Sequence, residues 1–367
     1  MEAKDAYRKL AERMRYPESK ELIELFEFLL SPLQAQITVS LPASHQDLAK
    51  KFGISEEEVD KNLRDMFNRG LVYPKEFSKM DGARFARSLP QLHDATLSDL
   101  RWDPRKEPEM ARRWQVFYNT GYDRDHAMWF LQMSIPLQRI LPAIQALPKD
   151  AKLEPWEDFR EIVKAASKIA MAGCACRSRM MGVGKECHFA GRHYCMQFGR
   201  GAEYAIQRGS GKELTKEDTL KLLFEAESQG LVHQAWNSQN ISGNLICNCC
   251  PDCCVDWENF KRYKIPTSGR WLRSRWNAYL DESRCDGCAK CQSICGFDAI
   301  ALKGGKAVID EEKCFGCGVC VLQCAPKAIT MKVLRPSAFV PKEGLDRAEL
   351  AAERMAGGVY REGPKLP

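Results

Sequence analysis

Apolar residues recur at every third or fourth position over Ala6 to Arg15 and Lys20 to Leu30, then at Leu48, Ala49, Phe52 and Ile54, then at Val59, Leu63 and Met66. Such spacing gathers them on one helical face, so each stretch is predicted as an amphipathic helix. Ser55 with Glu58 has the pattern of a capping box, and Gly70 that of a C-terminal stop. Ser44 to Gly70 therefore predicts helix, short turn, helix. Leu71, Val72 and Tyr73, a turn at Asp81-Gly82, and Ala83 to Ala86 predict two strands after it. Residues 91–165 read as mostly helical, and the aromatic set Trp114, Phe117, Tyr118, Tyr122, Trp129 and Phe130 is assigned to packing. A further helix is predicted over Lys216 to Gln229, capped by Thr215 and stopped at Gly230.

These elements predict a multidomain α+β chain. Residues 1–90 form a helical domain with a hairpin, 91–165 a helical connecting region, 166–280 a cysteine-rich metal domain, 281–335 a second cysteine-rich domain, and 336–367 an extended tail marked by Pro336, Pro341, Gly344, Gly357 and Gly358. The pattern of Ser44 to Ala86 resembles a winged helix-turn-helix.

Composition narrows the class. With 367 residues, 44% hydrophobic and 28% charged, the chain has the balance of a globular protein. The most apolar stretch, Ala127 to Leu147, is interrupted by Gln132, Pro136, Gln138, Arg139 and Pro142, whereas a bilayer helix needs about 20 mostly apolar residues. The first residues, MEAKDAYRKLAERM, alternate charges where a secretory signal needs an apolar run, so a cytoplasmic location is expected.

Cysteine dominates the chemistry. Seventeen cysteines in a chain expected in a reducing compartment point to metal ligation rather than disulfides. Cys285-x-x-Cys288-x-x-Cys291-x-x-x-Cys295 recurs 29 residues later as Cys314-x-x-Cys317-x-x-Cys320-x-x-x-Cys324, and Ala299-Ile300 answers Ala328-Ile329 at the same offset. Three cysteines two residues apart can wrap three corners of a cubane, leaving the fourth corner to a ligand from elsewhere. Gly287, Ala289, Gly316 and Gly318 suit a backbone that passes close to inorganic sulfide and donates N–H groups to it.

This duplicated motif resembles the bacterial two-cluster ferredoxins, in which the fourth cysteine of each motif ligates the other 4Fe-4S cluster. The resemblance implies one cluster on Cys285, Cys288, Cys291 and Cys324, and another on Cys314, Cys317, Cys320 and Cys295. The proline that usually follows the fourth cysteine is replaced by Gly296 in the first motif and displaced to Ala325-Pro326 in the second.

Nine further thiols, Cys174, Cys176, Cys187, Cys195, Cys247, Cys249, Cys250, Cys253 and Cys254, fall in two groups either side of the Lys216 helix. Adjacent cysteines project in different directions, so Cys249 and Cys250 are expected to serve different sites, and Cys253 and Cys254 likewise. The set suits one or two additional iron-sulfur clusters, a cluster plus a structural zinc, or a cluster with an open corner for substrate. His188, His193 and His233 are candidate neighbours, with His188 first. Arg177, Arg179, Lys185, Arg192, Arg200 and Arg208 crowd the region, either offsetting anionic clusters or forming a solvated basic face.

The formal charge of +6 treats every cysteine as neutral, and three cubanes at −2 each would bring it to about zero. The helix opening Glu56-Glu57-Glu58 would meet phosphate repulsion, so nucleic acid is not the expected partner and docking or dimerisation through the N-terminal domain is. The whole chain looks like the multidomain ferredoxin-type proteins of strict anaerobes. That resemblance implies electron transfer with a redox partner such as a flavoprotein. An oxidoreductase acting on a disulfide-type substrate through a cluster in residues 174–254 stands as the alternative, ahead of a redox-responsive DNA regulator.

Overall fold

The computed structural model describes residues 3–131, 136–189, 191–240, 245–264 and 269–342. The tail expected from residue 336 is thus seen only to Lys342, and its Gly344, Gly357 and Gly358 lie outside the described residues, as does the side chain of Phe130. The protein mixes helices and strands in two compact units, one of Met1–Asp123, Ala172–Glu186 and Tyr204–Lys212, the other of Arg124–Met171, Cys187–Glu203 and Glu213–Pro367.

The first unit is mainly helical. Helices Ala3–Arg13 and Lys20–Leu29 lie close to the expected spans, and Pro32–Ser40 adds a helix that periodicity does not predict. Ser31 and Gln34 form both bonds of a capping box at its start. Helices His45–Phe52 and Glu56–Asn68 follow, separated by Gly53 in the left-handed region. Ser55 Oγ accepts the Glu58 N–H at 3.1 Å. Strands β1 (Val72–Tyr73) and β2 (Arg84–Phe85) pair antiparallel, so the two helices, the turn between them and the two strands predicted after them are present. Trp114, Phe117, Tyr118 and Tyr122 are buried here, with Phe117 and Tyr122 stacked at 5.0 Å, so these aromatics serve packing. Arg179 and Arg208 are also buried. Arg179 lies over the Tyr118 ring, and Arg208 donates to Asn68 O and Ala95 O, so neither belongs to a solvated basic face.

The second unit carries a seven-stranded sheet in the order β6-β4-β5-β8-β7-β3-β9. Its strands are β3 (Gln138–Ile140), β4 (Ile169–Ala172), β5 (Cys195–Phe198), β6 (Lys212–Glu213), β7 (Val232–Trp236), β8 (Leu245–Cys249) and β9 (Trp271–Leu272). β8 runs antiparallel to both β5 and β7, whereas β3 and β9 are parallel. Helix Lys216–Ser228 is capped by Thr215 Oγ1, which accepts the Asp218 N–H at 3.0 Å, and ends before Gly230 at φ +83°. Its Glu227, fully buried, accepts the N–H groups of Ile144 and Gln145 and faces His233 Nε2 at 3.4 Å. His233 Nδ1 lies 2.5 Å from Asn248 Oδ1, so this imidazole is tied into a polar core network.

The cysteine repeat has its own four strands. β10 (Trp276–Leu280) pairs antiparallel with β13 (Ile329–Val333), and β11 (Ile300–Lys303) with β12 (Lys306–Ile309). With an offset of 29 residues, β10 corresponds to β12 and β11 to β13, and the short helices Lys290–Ile294 and Val319–Leu322 correspond likewise. Each strand that enters a motif therefore pairs with the strand that leaves the other. Hydrogen bonds repeat the exchange: Asp281 N donates to Ala328 O at 2.7 Å, and Asp310 N to Ala299 O at 2.8 Å. The backbone duplicates as well. Gly287 and Gly316, Ala289 and Gly318, and Asp298 and Lys327 are matched pairs at positive φ. The duplicated unit begins at Trp276, five residues before the expected boundary at 281.

Candidate metal centre

Exchange of strands carries each fourth cysteine away from its own motif. Cys285, Cys288, Cys291 and Cys324 line one small, partly open pocket, walled otherwise by largely apolar side chains including Leu280, Leu302 and Ile329, with Cys288 exposed at its edge. Three of these thiols come from the first motif and one from the second. The remaining four group in the same sense: Cys295 lies within electrostatic reach of Cys314 and Cys317, and all three act on Cys320.

Their surroundings suit thiolates bound to metal. Ala299 N–H donates to Cys295 Sγ at 3.4 Å and Ala328 N–H to Cys324 Sγ at 3.3 Å, equivalent bonds of the two repeats, while Ala307 N–H points at Cys285 Sγ from 3.5 Å. Burial pushes the Cys317 thiol up to about 12 and Cys320 well above the ordinary value, and it raises Cys291 and Cys295 too. A metal cation bound there would take the place of the thiol protons. The donor set, all sulfur with N–H groups aimed at it, fits an iron-sulfur cluster.

The glycines show how closely the backbone is threaded. A Cβ on Gly316 would stand 2.0 Å from Trp276 O and 2.3 Å from Ser274 Oγ, and one on Gly287 would stand 2.2 Å from Gly305 O. These residues hold φ of +67° and +74°. Strand approach therefore demands them, in addition to the sulfide contacts expected from sequence.

The other nine thiols divide. Cys187, Cys250 and Cys253 gather with Asp252, each offering a ligand atom within 4.8 Å of the rest. Cys249 lies instead against Cys247 and Cys254, whose hydrogen-bonding contacts, with burial, raise its thiol well above the ordinary range. Contacts with Cys187 and Cys250, with burial, raise Cys253 similarly. The neighbours Cys249 and Cys250 thus join different groups, and so do Cys253 and Cys254.

Beside the Cys247, Cys249 and Cys254 trio sits a buried charge network. Arg270 Nε donates to Asp256 Oδ2 at 2.8 Å, and His126 Nε2 lies 3.3 Å from Asp256 Oδ1. Burial raises the Asp256 carboxyl, but Arg270 and His126 outweigh it and hold the group well below the usual carboxylate range. Cys254 and Cys247 act on the same guanidinium. Sequence reasoning passed over His126, Asp256 and Arg270, because each is isolated in the chain and meets the thiols only through the fold.

Cys174 and Cys176 belong to the first unit, at the start of helix Ala175–Gly182, where their mutual hydrogen bond and burial raise the Cys174 thiol. Buried Arg177 opposes that rise. Cys195 opens β5, and its Sγ accepts from Gln197 Nε2 at 3.3 Å. His188 is exposed and bonded to Asp252, whereas His193 shows a lowered pKa caused by burial and Arg192.

Among the described residues no single helix is long and apolar enough to cross a membrane. Seventeen cysteines and the tight Cys/Asp group identify a cysteine-rich chain with a candidate metal site. A scan against family models and searches of curated proteins and solved structures return no match.

Proposed function

We propose that the protein is an iron-sulfur electron carrier, or the electron-transfer subunit of a larger oxidoreductase, with a two-cluster ferredoxin domain formed by its C-terminal repeat. The observation that carries this reading is the crossed pairing of the repeats, which puts Cys324 in one cavity with Cys285, Cys288 and Cys291 and Cys295 beside Cys314, Cys317 and Cys320. A 4Fe-4S cluster in each quartet would supply one-electron transfer. The chain's own part is to aim Ala299, Ala307 and Ala328 N–H groups at ligand sulfur and to hold both quartets between two antiparallel strand pairs. Such hydrogen bonds stabilise added negative charge and so favour the reduced form.

An internal continuation of the path is supported by one hydrophobic cluster. Trp257, Trp271, Phe297 and Phe315 are buried together, with Phe297 and Phe315 stacked at 4.3 Å, and Cys249 and Cys254 pack on this cluster as do Cys295 and Cys317. The thiol trio would then exchange electrons with the Cys295 quartet first. A redox partner such as a flavoprotein completes the reading.

The oxidoreductase alternative draws on the same trio. Three gathered thiols beside Arg270, Asp256 and His126 would leave a fourth corner facing polar groups, an arrangement able to receive a disulfide-type substrate. Anaerobic purification with iron and acid-labile sulfide analysis, followed by electron paramagnetic resonance of the reduced protein, tests both. Two magnetically coupled clusters are expected from the repeat, and a colourless preparation without sulfide would end the proposal. Reaction of reduced protein with a small disulfide, without a partner, would select the alternative.

A further inference from the structure

We propose that Cys187, Cys250, Asp252 and Cys253 hold a single zinc ion, distinct from the clusters of the C-terminal repeat and from the Cys247, Cys249 and Cys254 trio. The spacing of the donor atoms suits one ion. Cys187 Sγ stands 3.5 Å from Cys250 Sγ and 3.5 Å from Asp252 Oδ1, and all four ligand atoms lie within 4.8 Å of one another. Zinc bonds of about 2.3 Å to sulfur and about 2.0–2.2 Å to oxygen, at tetrahedral angles, put sulfur pairs roughly 3.8 Å apart and sulfur-oxygen pairs roughly 3.5–3.7 Å apart. The two separations of 3.5 Å and the 4.8 Å bound on the rest leave the four donor atoms room to take the corners of one such tetrahedron. Thiolates on a cubane each take a different iron and point outward, so their sulfurs stand wider apart. The eight cysteines of the repeat, all described, form no group this tight.

Chemistry and local structure agree. Cys250-Pro251-Asp252-Cys253 has the two-residue spacing of a zinc knuckle, and it forms the turn that follows β8. Cys250 and Cys253 are buried. Asp252 divides its oxygens: Oδ1 faces Cys187, while Oδ2 accepts the His188 N–H at 2.9 Å and lies 3.1 Å from His188 Nδ1. An anchored outer oxygen is the usual way a ligating carboxylate is held in orientation. Zinc accepts three thiolates and one carboxylate together, whereas clusters favour an all-thiolate set. Bound there, the ion would clamp the Cys187 loop to the turn whose other thiols, Cys249 and Cys254, belong to the trio. Its role is structural, fixing the position from which the trio is presented.

The experiment uses the full chain, purified without oxygen from zinc-supplemented cells. About one zinc per chain is expected, and zinc K-edge X-ray absorption should show three sulfurs at about 2.3 Å and one oxygen at about 2.0 Å. Asp252→Ala should speed zinc loss to a chromophoric chelator at least tenfold, and Cys253→Ala should lower zinc below half an equivalent, both with iron and sulfide unchanged. Should Cys253→Ala not fold, the wild-type spectrum and Asp252→Ala decide. Absence of zinc, a zinc shell without oxygen, or loss of iron and sulfide in these variants overturns the inference. Zinc without any iron would uphold it while ending the electron-transfer reading.

Discussion

At the scale of residues, two glycines separate conformational strain from lack of space. Gly316 needs both positive φ and room for Trp276 O, whereas Gly304, at φ +56°, would place a Cβ with nothing within 4 Å. Gly304→Ala should cost about 1–2 kcal/mol, the strain of a left-handed alanine. Gly316→Ala adds a backbone collision and should cost at least about 3 kcal/mol and lower cluster content, as thermal unfolding and iron analysis would show. Were the two variants equally stable, the close strand approach would be refuted. Sequence made Gly316 visible as a small residue near ligands, but for only part of the reason. That Trp276 O lies over Gly316 depends on a pairing 40 residues distant, which no local pattern encodes. His126, Asp256 and Arg270 were illegible on the same ground, since three well-separated residues become a network only when packed.

Among the elements, those whose stability is local were the most readable. Helix Lys216–Ser228 carries its Thr215 cap and Gly230 stop in the chain itself. Thr215→Ala should therefore destabilise the protein by about 1 kcal/mol, measurable by chemical denaturation, and leave metal content unaltered. Strand β7 of the seven-stranded sheet was missed because both its faces are covered. β7 reads Val-His-Gln-Ala-Trp, its His233 and Gln234 buried in polar contacts, so the alternation that marks a half-exposed strand is gone. β10 hides in the same way, with Asn277 fully buried between Trp276 and Ala278. Its kinship to β12 was still recoverable, since Asp281 and Asp310 stand four residues before Cys285 and Cys314 and each accepts a backbone N–H two residues on. Extending the repeat backwards from the cysteines would have found it. Helix Pro32–Ser40 shows the opposite case, in which capping by Ser31 and Gln34 sets an element that apolar periodicity does not mark.

For the molecule as a whole, charge and thiol partition decide what it binds. Helix Glu56–Asn68, second of the helix-turn-helix pair, opens on three exposed glutamates, so duplex DNA at low salt should show no salt-sensitive affinity in fluorescence anisotropy. Tight binding weakened by salt would revive the regulator reading. Cysteine spacing alone made the repeat legible and flagged the division of adjacent thiols, but the assignment of Cys187 and Asp252 to one group required the fold. Iron content of paired cysteine variants decides whether the repeats exchange their fourth ligands. Cys295→Ala with Cys314→Ala should spare one cluster, retaining about four irons in the repeat, because both changes strike the same quartet. Cys291→Ala with Cys295→Ala should abolish both clusters. The reverse pattern, with the second pair sparing a cluster and the first destroying both, would contradict the crossed arrangement.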